Sequence, residues 1–403
     1  MKLGRTHQTA NKQADKIRDK RVAMLSISVL IASLTSTLMF LPSSQAVKEP
    51  AGKTNSSKKI SEVKYEITMP KAYQPKGSNG GFDDYRCFLI DPKVQTNSIL
   101  TTIEFQPQTK EIVHHAILFR LPATKVAAVQ AADKTNDGWS CFGGSGVGSM
   151  FQSFVNTPWL SAWVPGRNRD AAPSGYGYPF NKGDQIVLQV HYNLLAAKSG
   201  QTLRDQSKII LSGVPATGAK VKTLNYELLP APVELACPAG VTGPLCERKQ
   251  SLIDLAARTS PISALEVTGI SVLCKQDPFN PLPSNTSTCD RIIRKPQLVV
   301  AAAPHMHLLG RSLKITANPG TVNETVLIDN QNYNFDDQSA KVLAKPFKLN
   351  VGDTVRVQCT FDPTLRQKLP ALKNLPAKYI TWGEGSGDEM CLGVLITSNE
   401  VTN

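Results

Sequence analysis

The stretch Gln297–Gly310, QLVVAAAPHMHLLG, runs apolar from Leu298 to Ala303, meets a proline, and closes on two histidines either side of a methionine. A short apolar run carrying adjacent valines and bounded by Pro reads as a buried β-strand. On a strand, residues i and i+2 share a face with Cα atoms about 6.5–7 Å apart, so the imidazoles of His305 and His307 can converge on one ion. Pro304 lacks an N–H and biases Ala303 toward an extended backbone, which suits a strand end, an edge or a bulge. A two-histidine alternation also arises by accident on a wet strand face. The chain has six histidines in 403 residues, so the other four decide its weight.

Outward from this stretch the same grammar recurs. KYEITM, RCFLID, SILTTIEF, EIVHHAILF, QIVLQVHYNL, SKIILSG, VKTLNYELL, VTGISVLC, SLKITA, ETVLID, DTVRVQCTF and CLGVLIT are short, rich in Val, Ile, Leu and Thr, and punctuated by Gly, Pro, Asn and Asp. Helical spacing shows only in TKVAAVQAADK and KQSLIDLAAR. The expectation is an all-β chain of two tandem jelly-roll-like β-sandwich domains. Gly and Pro interrupt the strands in SGVPATGAK, residues 212–220, which sets an N-terminal domain at 63–215 and a C-terminal domain at 216–403.

Ahead of them, residues 1–46 carry seven Lys or Arg against two Asp, then the uncharged run Val22–Leu41 and a Ser44-x-Ala46 pattern. This is an export signal or, since the run is about long enough to span a bilayer, a retained N-terminal membrane anchor. Either way the body is expected outside the cytosol: periplasmic, secreted or membrane-anchored. Residues 47–62 form a basic linker. Of the net charge of +13, five units sit in the leader and three in residues 47–59 of the linker, leaving about +5 over residues 60–403. That is an ordinary solubilising charge, with no basic patch interleaved with aromatics, and it excludes nucleic acid as a partner. Eight cysteines in an exported body predict four disulfides, and close spacing suggests Cys237 with Cys246 and Cys274 with Cys289.

His7 lies in the leader; His114, His115, His191, His305 and His307 all lie in or at the end of strand-like segments. His114 and His115 are neighbours, which a regular strand would point to opposite faces. They can serve one ion only if the backbone is twisted or bulged there, or if the rings coordinate through different nitrogens. His191 shares a strand face with Val187, Gln189 and Asn193, a polar run that fits a cleft wall or a wet surface. A softer donor, Met390, follows the Gly-rich turn in WGEGSGDEMCLG, although methionine is usually core filler. Three imidazoles suit zinc or copper equally, whereas two imidazoles with a thioether favour copper.

The motifs VHHAILF, LQVHYN, HMHLLGR, GDTVRVQCTF and GDEMC, in this order and spacing, resemble the copper type II, ascorbate-dependent monooxygenases over roughly residues 65–400. The resemblance implies two jelly-roll-like domains facing each other across a cleft, with one copper each. It implies His114, His115 and His191 as ligands of the first copper, and His305, His307 and Met390 as ligands of the second, catalytic one. It also implies a Cys359–Cys391 disulfide tying the Met390 strand to its neighbour. The implied chemistry is C–H hydroxylation with O₂ and ascorbate, or a similar one-electron reductant. Peptide-amidating members carry an Arg two residues before the H-x-H pair and an Asn and a Tyr shortly after the Met, which hold a carboxylate. Here those positions are Ala303, Leu392 and Val394, so a small neutral or apolar substrate is expected. Two alternatives remain: a non-catalytic copper-binding or electron-transfer protein, and a zinc hydrolase built on the first histidine set.

Overall fold

The computed structural model describes residues 62–399, apart from 78–81, 132, 134, 136, 142–144, 146–157, 166–168, 196–201 and 261–262. The leader and nearly all of the linker lie outside the described residues. Among the described residues no helix is long and apolar enough to cross a membrane.

The chain is all-β and builds two successive sandwiches. In the first, a five-stranded sheet runs in the order Trp139–Ser140, Asp83–Ile90, Gln185–Asn193, Val113–Leu121, Trp159–Trp163. The other sheet orders Val63–Thr68, Lys208–Pro215, Ser98–Gln106, Tyr176–Phe180 and Lys222–Thr223, with Asp170–Ala171 also paired to Ser98–Gln106. Alternation puts Phe88, Leu118, Ile186, Leu188 and Val190 of one sheet against Leu100, Ile103, Ile209 and Leu211 of the other in a common core. In the second sandwich, Asn225–Ala231, Cys391–Ser398, Gln297–His305 and Lys341–Leu349 face Thr286–Ile292, Thr354–Phe361, Gly310–Ala317 and Thr325–Asn330. The sheets approach closely at Gly393, where a Cβ would come within 2.9 Å of Ile315 and 3.0 Å of Val357. A register shift between Val299 and Ala301 accompanies a change of side, for Val300 and Ala301 join the core of the first sandwich.

All eight cysteines are paired, as Cys87–Cys141, Cys237–Cys246, Cys274–Cys289 and Cys359–Cys391. Four disulfides are the chemistry of an oxidising compartment. The last joins the two sheets of the second sandwich, immediately after Met390.

One expected strand is a helix. VTGISVLC falls in Ser263–Leu273, whose buried residues Ser263, Val267, Ile270 and Ser271 recur at helical spacing. Its β-branched residues imitate a strand, but packing against the helix Arg248–Arg258 decides otherwise. TKVAAVQAADK keeps only the single helical turn Val126–Gln130.

Candidate metal centres

Val113–Leu121 and Gln185–Asn193 are adjacent antiparallel strands in which His115 stands opposite His191. The register slips between Val113 and His115, so His114 is the extra residue of a bulge. This removes the obstacle set by two neighbouring histidines, since the bulge turns both rings to one side. The three Nδ1 atoms form a triangle, 3.3 Å from His114 to His115, 3.2 Å from His114 to His191 and 3.3 Å from His191 to His115. An ion about 2.0–2.1 Å from each nitrogen in tetrahedral geometry separates its donors by roughly 3.3–3.4 Å. The triangle therefore fits one metal ion, and without a cation or proton among them the converging lone pairs would repel.

His191 is fixed from behind. Its Nε2–H donates to Asp83 Oδ1 at 2.8 Å, which leaves Nδ1 as the free donor, and the Tyr85 ring stacks on it at 4.0 Å. Asp83 also accepts from Asn193 Nδ2 at 3.1 Å and from the Ser386 hydroxyl and N–H at 3.1 and 3.2 Å. Burial pushes the Asp83 carboxyl up to about 6 against those donors. Burial lowers His114 to about 4, opposed by Asp83, and holds His115 and His191 well below the usual imidazole range, with neighbouring imidazoles adding to the effect. All three rings are neutral near pH 7, the form that ligates a metal.

The second set stands on two strands that pair directly, with His305 opposite Leu392, Pro304 opposite Gly393 and Ala303 opposite Val394. On its other side Gln297–His305 loses its partner after Ala302, so Pro304 sits where the strand is paired on one side only. His305 Nε2 lies 3.2 Å from Met390 Sδ, and the His305 and His307 ring centroids are 5.5 Å apart. Here the opposite nitrogen is engaged: His305 Nδ1–H donates to Gln338 Oε1 and His307 Nδ1–H to the Asp388 carbonyl at 3.2 Å, leaving both Nε2 atoms as donors. Burial lowers both rings, His307 to about 3 with His305 contributing, so they too are neutral. Met306 turns the other way into the core, its N–H and C=O both bonded to the Tyr333 hydroxyl. Glu389 gathers the N–H groups of His307, Leu309 and Met390 at 2.9, 2.6 and 3.2 Å. One carboxyl group, pushed up to about 8 by burial against these three donors, thus locks the His-x-His turn to the methionine strand.

The two sets are neighbours. The His115 and His305 rings lie 6.3 Å apart, and Phe335 stacks on His114 at 4.8 Å while meeting His307 edge-on at 6.3 Å. Between them opens a cavity whose walls are mainly apolar, including Phe119, Trp159, Trp163, Ala303, Leu392 and Val394, with Gln189, Gln338 and Glu384 as polar members. Asp83, Gln338, Asp388 and Glu389, which orient the candidate ligands, escaped the sequence reading. Asp388 and Glu389, just before Met390 in GDEMC, stood in a motif that could have drawn notice.

Residues 283–397 match the family model for the C-terminal domain of the copper type II ascorbate-dependent monooxygenases. The matched stretch holds His305, His307 and Met390 and stops short of the strands bearing His114, His115 and His191. No curated protein matches the chain. Among solved structures, an allantoicase is similar at 10% identity over 72% of this chain and 76% of that one, with a TM-score of 0.18. Allantoicase from Saccharomyces cerevisiae gives 7% identity over 81% and 80%, with a TM-score of 0.19. The VP2 subviral particle of infectious bursal disease virus gives 7% over 87% and 74%, with a TM-score of 0.17. At these TM-scores none of the three likenesses bears on the fold, and residues 283–397 are the stretch that resembles a known family: the C-terminal domain of copper type II ascorbate-dependent monooxygenases.

Proposed function

We propose that this protein is an exported copper-dependent monooxygenase that hydroxylates a C–H bond of a small, neutral or apolar substrate, using O₂ and ascorbate or a similar one-electron donor. The observation that carries the proposal is the pairing of an imidazole-only donor set with an imidazole–thioether set across one apolar cavity. Copper, when bound, would supply one-electron redox chemistry and O₂ activation. His114, His115 and His191 would hold the first ion through Nδ1, a set of matched neutral donors suited to passing single electrons. His305 and His307, through Nε2, would hold the second with Met390, whose soft sulfur favours Cu(I). The cavity would present Ala303, Leu392 and Val394 to the substrate, with no Lys or Arg among its described lining residues to neutralise a carboxylate.

Neither alternative accounts for as much. A copper-binding or electron-transfer protein that kept the ligands and lost the catalytic cleft leaves the apolar cavity between the two sets without a role. A zinc hydrolase on the first set needs a general base on the donor side, whereas Asp83 lies behind His191, bonded to its Nε2. The deciding experiment loads the full chain with copper, counts the ions, and follows ascorbate-driven O₂ uptake against product from neutral aromatic and aliphatic probes such as ethylbenzene. Two ions per chain and a hydroxylated product are expected. In Met390→Ala, product formation should be lost while the EPR signal of the first copper is retained. Full copper occupancy and electron cycling with no C–H product from any probe would leave the electron-transfer reading in its place.

A further inference from the structure

Insertion of one oxygen atom from O₂ follows R–H + O₂ + 2e⁻ + 2H⁺ → R–OH + H₂O. The C–H and O–O bonds break, C–O and O–H bonds form, the one-electron donor supplies both electrons, and two protons must reach a cavity whose described walls are mainly apolar. The described lining residues able to exchange a proton are His115, His305, His307, Tyr226 and Glu384. The imidazoles belong to the donor sets, and the Tyr226 hydroxyl is engaged by Asp170 and Tyr178 at 3.2 Å each. That leaves Glu384 as the one carboxyl among them.

Glu384 is held in place. It lies in the turn between Gly383 and Glu389, which is closed by Gly383 N–H to Glu389 C=O at 3.0 Å and Asp388 N–H to Gly385 C=O at 2.8 Å. Its own carbonyl accepts from the buried Tyr85 hydroxyl at 2.5 Å, and Tyr85 is the ring stacked on His191. The residue is 9% exposed. Glu266, on the helix Ser263–Leu273, is near enough to act on it electrostatically, and is partly exposed but with a buried Oε1 that has no hydrogen-bond partner. The remaining charged neighbour is Asp388 of the same turn, already paired with Lys378 at 2.6 Å and Arg258 at 2.8 Å.

We infer that Glu384 is the acid that delivers protons to the oxygen chemistry in this cavity and that Glu266 resupplies it from the solvent side. The inference rests on the monooxygenase reading. In each turnover the Glu384 carboxylic acid gives a proton toward the departing water, and its carboxylate is reprotonated from Glu266 before the second transfer. Burial, with Glu266 and Asp388 adding to it, raises Glu384 to about 8, and burial raises Glu266 to about 7, so the cavity acid carries its proton at neutral pH.

The test uses copper-loaded full chain, reduced with stoichiometric ascorbate without air and then mixed with O₂, reading the return of the Cu(II) EPR signal in H₂O and in D₂O. Glu384→Gln should bind copper normally and keep its EPR parameters, yet reoxidise about a hundredfold more slowly and lose the solvent isotope effect. Glu266→Gln should be slowed less. Infrared spectra of the reduced protein at pH 7 should contain protonated-carboxyl C=O intensity that falls in Glu384→Gln, the share of buried Glu389 being retained, a readout independent of turnover. A Glu384→Gln protein that reoxidises at the wild-type rate with the wild-type isotope effect, or has an unchanged carboxyl band, overturns the role of Glu384 while leaving the monooxygenase reading standing. A wild-type protein that binds copper but is not reoxidised by O₂ sinks both.

Discussion

A metal-ligating imidazole has two nitrogens, and the partner of the second decides what the first can do. In the first set that partner is known for His191: Asp83 holds Nε2–H, so the Nδ1 lone pair points at the other two rings. In the second set Gln338 and the Asp388 carbonyl hold the Nδ1 hydrogens, and the rings present Nε2 instead. Asp83→Asn should therefore weaken metal binding at the first site by about 10–100-fold and leave the second unchanged, as read by chelator competition at each site. An equal loss at both would mean that Asp83 acts on the fold and not on His191. The candidate ligands were legible because histidines are rare here and strand periodicity makes their faces readable. Their orienting partners were not, because Asp83 is 108 residues from His191 and Glu389 is 82 from His307, separations that only the fold closes.

At the scale of elements, the second set is the meeting of two strands, and two links fix how they meet. Glu389 joins them through main-chain N–H groups, and Cys359–Cys391 anchors the start of the second covalently to Thr354–Phe361 of the opposite sheet. Replacing both cysteines by serine should lower unfolding stability by about 2–5 kcal/mol in denaturant titration. It should also loosen Met390 enough to alter the second site's metal spectrum while the first site's is preserved. Most strands were readable from their alternation. Lys341–Leu349, Tyr176–Phe180, Trp159–Trp163 and Thr286–Ile292 were among those that escaped; the first is an exposed, lysine-rich strand at a sheet edge, and the second is broken by Gly and Pro. The bulge at His114 was anticipated only as one of two ways for adjacent histidines to share an ion.

Across the whole molecule, a buried charge network supports the second set from beneath. Burial alone would push Asp388 up, but Lys378 and Arg258 outweigh it and hold the carboxyl well below the usual carboxylate range. Since the folded pKa lies below the unfolded one, this network stabilises the fold fully above the unfolded value of about 3.9, and its contribution is lost as pH falls further. Lys378→Met should cost about 3 kcal/mol at neutral pH, and the deficit should shrink below about pH 4; urea midpoints measured across that range would reveal a pH-independent deficit if the charge pairing were irrelevant. The clamp formed by Glu389 has a consequence for electron traffic. His305, His307 and Met390 are fixed by bonds to protein atoms, so adding or removing one electron at a metal among them need not move the chain. What such a rack minimises is nuclear rearrangement of the chain per electron transferred.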